Sequence, residues 1–125
     1  LTRQAFYGLG AHRIQDVDKY TPGAPPNAAF MLDLSSLTRY PVRKGFAKYG
    51  GCVYFDVHQK PLALRDTSGT LLLPEDQDWE PAKAVWRASL LSVVTVVDHL
   101  FNLHFGVAAQ MLRACVEGLP PDHTL

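Results

Sequence analysis

The sequence predicts a mainly α fold organised around one long buried helix and a small β-hairpin. Three observations predict it. From Pro81 to Glu117 no further proline occurs and the one interior glycine is Gly106, while Ala, Leu and Val dominate. Val53, Tyr54 and Phe55 are strand formers, followed by a polar tip and a second apolar run, Pro61 to Leu64. The chain has 125 residues, 47% of them hydrophobic, which is the size and composition of one small globular domain.

Charge and cysteine content narrow the function classes. Lys plus Arg number 12 and Asp plus Glu number 12, so the net charge is zero and no overall field draws in nucleic acid or an anionic surface. Nucleic acid is therefore not among the expected partners. Two cysteines, Cys52 and Cys115, are too few for a disulfide framework, and no charged segment followed by an apolar one opens the chain. A reduced, intracellular setting is expected. The start at Leu1 and the end at "PPDHTL" read as those of a fragment or processed piece of a longer protein.

Along the chain, residues 1–28 end in "YTPGAPPNAA", where Pro22, Gly23, Pro25 and Pro26 disfavour a helix or a central strand. They are expected to form an extended lead-in to a second region, 29–125. Residues 28–42 hold a short apolar core suited to a strand or a single helical turn, limited by Pro41. Residues 50–66 are the hairpin, closed by "DTSGT". Asp76, Asp78 and Glu80 stand near the start of the long helix, where negative charge suits the helix dipole, and "EGLPP" stops it. Between Arg87 and Arg113 the helix is apolar on nearly every face, as in a large protein core or a membrane. No repeat or low-complexity tract is present.

Within this helix "VVDHLFNLHFGV" places His99 and His104 five residues apart. At roughly 100° per residue, a regular α-helix points positions five apart about 140° away from each other, so it cannot aim both imidazoles at one ion. The usual helical metal pair is spaced i, i+4. An i, i+5 pair converges only where the helix widens into a π-bulge, a rare irregularity frequent at functional sites, and Asn102 and Gly106 are poor helix formers that would accompany one. On spacing alone, histidines satisfied by nearby backbone or carboxylate groups remain the simpler reading. Asp98 is costly in an apolar stretch unless paired with an imidazole N–H or an Arg. His12 and His58 fall in loop-like segments, His123 lies beside prolines, and Cys115 reads as a small apolar residue. Phosphate loops, nucleophile elbows and cysteine zinc sites are missing from the sequence.

The order of "FMLDLSSL", "YGGCVYFDVHQKPLAL", "WEPAKAVW", the histidine helix and "GLPPDHTL" resembles the lipoxygenase catalytic domain over about residues 29–125. The matching residues are Leu32-Asp33, Pro61 to Leu64, Trp79 with Ala82-Lys83, and Leu119-Pro120 with His123. The resemblance implies a segment of a lipoxygenase-like helical domain. It also implies a non-haem iron dioxygenase that turns a polyunsaturated fatty acid and O2 into a hydroperoxide. The iron would be held by imidazoles and oxygen ligands. In that family the helix histidines are spaced His-x4-His on a widened helix, which makes His99 and His104 the candidate iron ligands, with Leu100 and Leu103 beside the fatty-acid channel. In an ungapped register from Trp79, however, Val94 takes the first ligand's place, His99 the second's, and His104 that of a non-ligand histidine. A deletion of about five residues ahead of His99 would restore the full pair.

The resemblance further implies ligands from a later helix and a C-terminal carboxylate, so the remaining segments of the domain or partner subunits are the expected partners. A cytoplasmic or plastid location follows, with membrane association as the variant. The competing reading is a catalytically inactive scaffold or assembly subunit of a larger complex. A membrane span is the third, since "ASLLSVVTVVDHLFNLHFGVAAQML" is long enough to cross a bilayer.

Overall fold

A computed structural model describes residues 1–120, 122 and 123. The chain divides into two compact units, Leu1–Leu91 and Ser92–Leu125. A continuous helix from Trp79 to Gly118 belongs partly to each.

The first unit is built on a five-stranded antiparallel sheet in sequential order: β1 Gln15–Asp16, β2 Phe30–Asp33, β3 Cys52–Phe55, β4 Pro61–Arg65 and β5 Leu71–Leu72. The expected hairpin is its centre. Val53 pairs with Leu64 and Cys52 with Arg65, and the register shifts between Tyr54 and Phe55. The expectation of a mainly α fold with only a small hairpin is corrected by the other three strands. β1 and β5 have two residues each, too short to carry a period-two pattern, and backbone pairing to β2 and β4 defines them.

β3 is buried at all four positions because both sheet faces are covered. On one face the ladder aligns Leu32 with Val53, Val53 with Leu64, and Phe30 with Phe55. There the short helix α1, Thr2–Phe6, sets the Phe6 ring edge-on against Phe55 at 5.0 Å and Phe30 at 5.5 Å. Helix α2, Trp79–Val93, brings the fully buried Trp86, whose indole N–H donates to the Leu32 carbonyl at 3.4 Å. On the other face Cys52, Tyr54 and Ala63 are covered by Val17, Ala24, Ala28 and Met31. Residues 1–28 thus carry a helix, a 3-10 turn at Ala11–Arg13 and a strand, and supply cover to both faces.

Helix α2 starts as its sequence implies. Pro81 sits in the first turn, where its missing N–H costs nothing, and Glu80 lies where the dipole favours it. Its inner face carries Trp86, Ser89, Leu90 and Val93, all buried.

Beyond α2 the helix continues as a π-helix from Val94 to Ala108, then as α3 from Ala109 to Gly118. The expected long buried helix is corrected here, since neither segment contains a buried residue. Leu100, Phe101, Leu103, Phe105 and Val107 are between 46% and 67% exposed. An apolar composition states which surface a helix needs to hide, and these residues remain uncovered. Full burial of an exposed side chain of this kind is worth about 1.5–3 kcal/mol, and these half-exposed residues forgo a part of it.

Candidate metal centre

His99 and His104 both lie on the π-helical segment. A π-helix closes its hydrogen bonds between residues five apart rather than four and turns less per residue, so positions i and i+5 come to the same side of the helix. That widening removes the geometric objection to the pair, over fifteen residues rather than at one bulge. The two Nε2 atoms stand 3.1 Å apart. The ring centroids are 4.7 Å apart and the planes are inclined by 73°, closer than two rings meeting head-on across that gap. The rings therefore lean toward a common side.

Two uses of this geometry are open. One Nε2–H can donate to the other Nε2, which requires one ring to be the donor and the other the acceptor tautomer. Alternatively, a metal ion replaces the shared proton. With metal–nitrogen bonds of about 2.0–2.1 Å, two neighbouring ligand nitrogens lie about 2.9 Å apart at an octahedral angle and about 3.3 Å apart at a tetrahedral one. The observed 3.1 Å separation falls between the two. The donor set suits iron, copper, nickel or zinc, because neutral imidazole is a borderline ligand accepted by all of them.

Among the described residues, no group of three His, Cys, Asp or Glu side chains gathers to hold a metal. Among the described residues the imidazole pair stands without a third such side chain. Val94 and Ala109, five residues away on either side of the pair, offer no side-chain donor atom. Both histidines are exposed, so each ring is accessible to a ligand brought from outside the chain. Asp98 is engaged in an interaction of its own.

The remaining candidates fall on other elements. His12 lies in the 3-10 turn Ala11–Arg13, His58 at the hairpin tip, and His123 follows α3. Cys52 is buried in the sheet, where loss of solvation and the nearby Asp33 carboxylate push its thiol up to about 12. It is inert as a nucleophile at neutral pH. A cleft of about 230 Å³ opens between the sheet and α2, lined by Gly50, Gly51, Asp66, Thr67, Asp78 and Val85 among others. Burial alone would raise the Asp66 carboxyl. Hydrogen bonds from the Ser68 hydroxyl and the backbone of Thr70, Ser68 and Gly69 outweigh that and hold it below its ordinary value. The sequence reading missed this cleft, because its walls come from strand ends and a helix start more than ten residues apart.

By length and composition the helix Trp79–Gly118 is long and apolar enough to cross a membrane, with a mean hydropathy of 1.5 over its most apolar window, 11% of which is buried. The core helix of a soluble protein passes the same test. No family model, curated protein or solved structure matches the chain. The lipoxygenase resemblance accordingly rests on the motifs quoted above.

Proposed function

We infer that this chain is a segment of a lipoxygenase-like non-haem iron dioxygenase acting on polyunsaturated fatty acids. The observation that carries the reading is the convergence of His99 and His104, Nε2 to Nε2 at 3.1 Å, on a π-helical segment. In this reading His99 and His104 would hold the iron, and oxygen or nitrogen ligands from other segments of the domain, or from a partner subunit, would be needed beside them. Bound iron would supply one-electron chemistry toward a doubly allylic carbon of the fatty acid, with O2 as co-substrate.

The protein's own contribution is positioning. The wide helix brings both rings to one side, and their side-chain torsions set the Nε2–Nε2 separation of 3.1 Å. Leu100 and Leu103 flank the histidines and are 46% and 47% exposed, available to face an acyl chain once the helix is covered. Covering it is favourable for the same reason that its exposure is costly. A cytoplasmic or plastid location fits this reading.

A second reading has its own support. With two imidazoles and no third ligand side chain among the described residues, the chain also suits a catalytically inactive scaffold in a larger assembly. The test is turnover by the native protein that contains this chain. Linoleate and O2 should yield a conjugated-diene hydroperoxide, abolished in both His99→Ala and His104→Ala. Native protein that contains no iron and forms no diene supports the scaffold.

A further inference from the structure

The net charge of zero hides a local excess. Residues 39–49 are all exposed and contain Arg39, Arg43, Lys44 and Lys48, and no acidic residue lies between Asp33 and Asp56. Interleaved with the cations are Tyr40, Val42, Phe46 and Tyr49, exposed at 52%, 42%, 72% and 44%. Large apolar side chains and like charges together on an open loop are costly to leave in water without a partner.

Local structure displays these groups. The segment is tied at its start by Tyr40 N–H donating to Leu37 O, and just beyond its end by Gly50 N–H donating to Ser89 Oγ. Between these anchors Phe46 N–H closes a turn onto Arg43 O, and Gly45 takes a φ of 88° with open space around it. The turn presents Arg43, Lys44 and Phe46 at its tip. Beside it a concavity of about 300 Å³ is lined by Val42, Arg43, Phe46, Ala47 and Tyr49.

We propose that residues 39–49 dock on an anionic lipid bilayer, with Phe46 and Val42 entering the headgroup boundary and Arg43, Lys44 and Lys48 meeting lipid phosphates. Charge complementarity and composition single out this partner. Aromatic rings favour the headgroup level, and basic residues near the surface are drawn to anionic lipid. A nucleic acid would offer phosphates too, but base readout also draws on side-chain amides, and single-strand binding on aromatic faces free to stack. The segment has no Asn, Gln, Ser or Thr. The Tyr40 ring is already covered by the Arg39 guanidinium at 4.9 Å.

Vesicle binding by the full chain tests the proposal. Vesicles of phosphatidylcholine alone are compared with vesicles that also contain phosphatidylglycerol, at low and high salt. At low salt the anionic vesicles should bind roughly tenfold or more tighter. That preference should collapse at high salt and in the double variant Arg43→Gln, Lys44→Gln. The apolar helix beyond Leu91 would favour both vesicles alike, so the ratio isolates the loop. Circular dichroism establishes that the double variant is folded. Phe46→Trp adds an indole to Trp79 and Trp86, both buried, and its emission should shift blue only with anionic vesicles. Equal affinity for both vesicles, an unchanged ratio in the double variant, or tighter binding to single-stranded RNA than to anionic vesicles overturns the proposal. Iron content has no bearing on any of these outcomes.

Discussion

The Gly50 amide donates to Ser89 Oγ at 2.8 Å, and the same hydroxyl donates to the Val85 carbonyl one turn earlier at 2.7 Å. Ser89 is fully buried, and the hydrogen bond from Gly50 ties α2 to the chain entering β3. Ser89→Ala would remove the partner of the buried Gly50 N–H. The expected loss is about 1–3 kcal/mol of folding stability, read as a lower urea midpoint with an unchanged slope.

Gly51 has a φ of 99°, and a Cβ built there would lie 3.0 Å from the Arg65 carbonyl, a backbone atom that cannot swing aside. Gly45, at φ 88°, has nothing within 4 Å. Gly51→Ala therefore incurs both strain and a clash, and Gly45→Ala strain alone. In thermal melts Gly51→Ala should lose clearly more than Gly45→Ala, whose cost should stay near 1 kcal/mol. Equal losses would contradict the close approach at β3.

The two thiols should differ in reactivity. Cys52 is buried and its thiol is pushed up to about 12, whereas Cys115 is half-buried. A thiol reagent at mildly alkaline pH should titrate one cysteine quickly in the folded protein and two in urea. A second consequence is pH dependence. Unfolded, Cys52 loses its proton near its ordinary value of 9.0, while the folded state keeps it to about 12. The unfolded chain therefore binds fewer protons over that window, and stability should fall as pH rises through it. Cys52→Ala should flatten that part of the profile.

Much of the backbone was legible and much of the burial was not. Val53 to Phe55 and Pro61 to Leu64 announce the central hairpin through their strand-forming side chains. The proline-free stretch announces a helix observed at Trp79–Gly118, close to the expected 81–117. β1 and β5 left no trace because two residues carry no period, and their identity comes from partners distant in sequence. The fate of the apolar helix, in a core or a membrane, is not legible, because composition gives the demand for cover and says nothing of its supply. The histidine pair was legible as a spacing whose meaning depended on helix type. Only a π-helix turns an i, i+5 pair to one side, and Asn102 and Gly106 are weak signals of one. The basic, aromatic loop escaped notice because totals over the whole chain cancel a charge confined to residues 39–49.

Iron stoichiometry of the native protein containing this chain tests the central claim most directly. Elemental analysis should find about one iron per chain, lost in His99→Ala and in His104→Ala alike, since the two rings are adjacent ligands. Iron-free native protein, or full iron retained in either variant, would contradict the account.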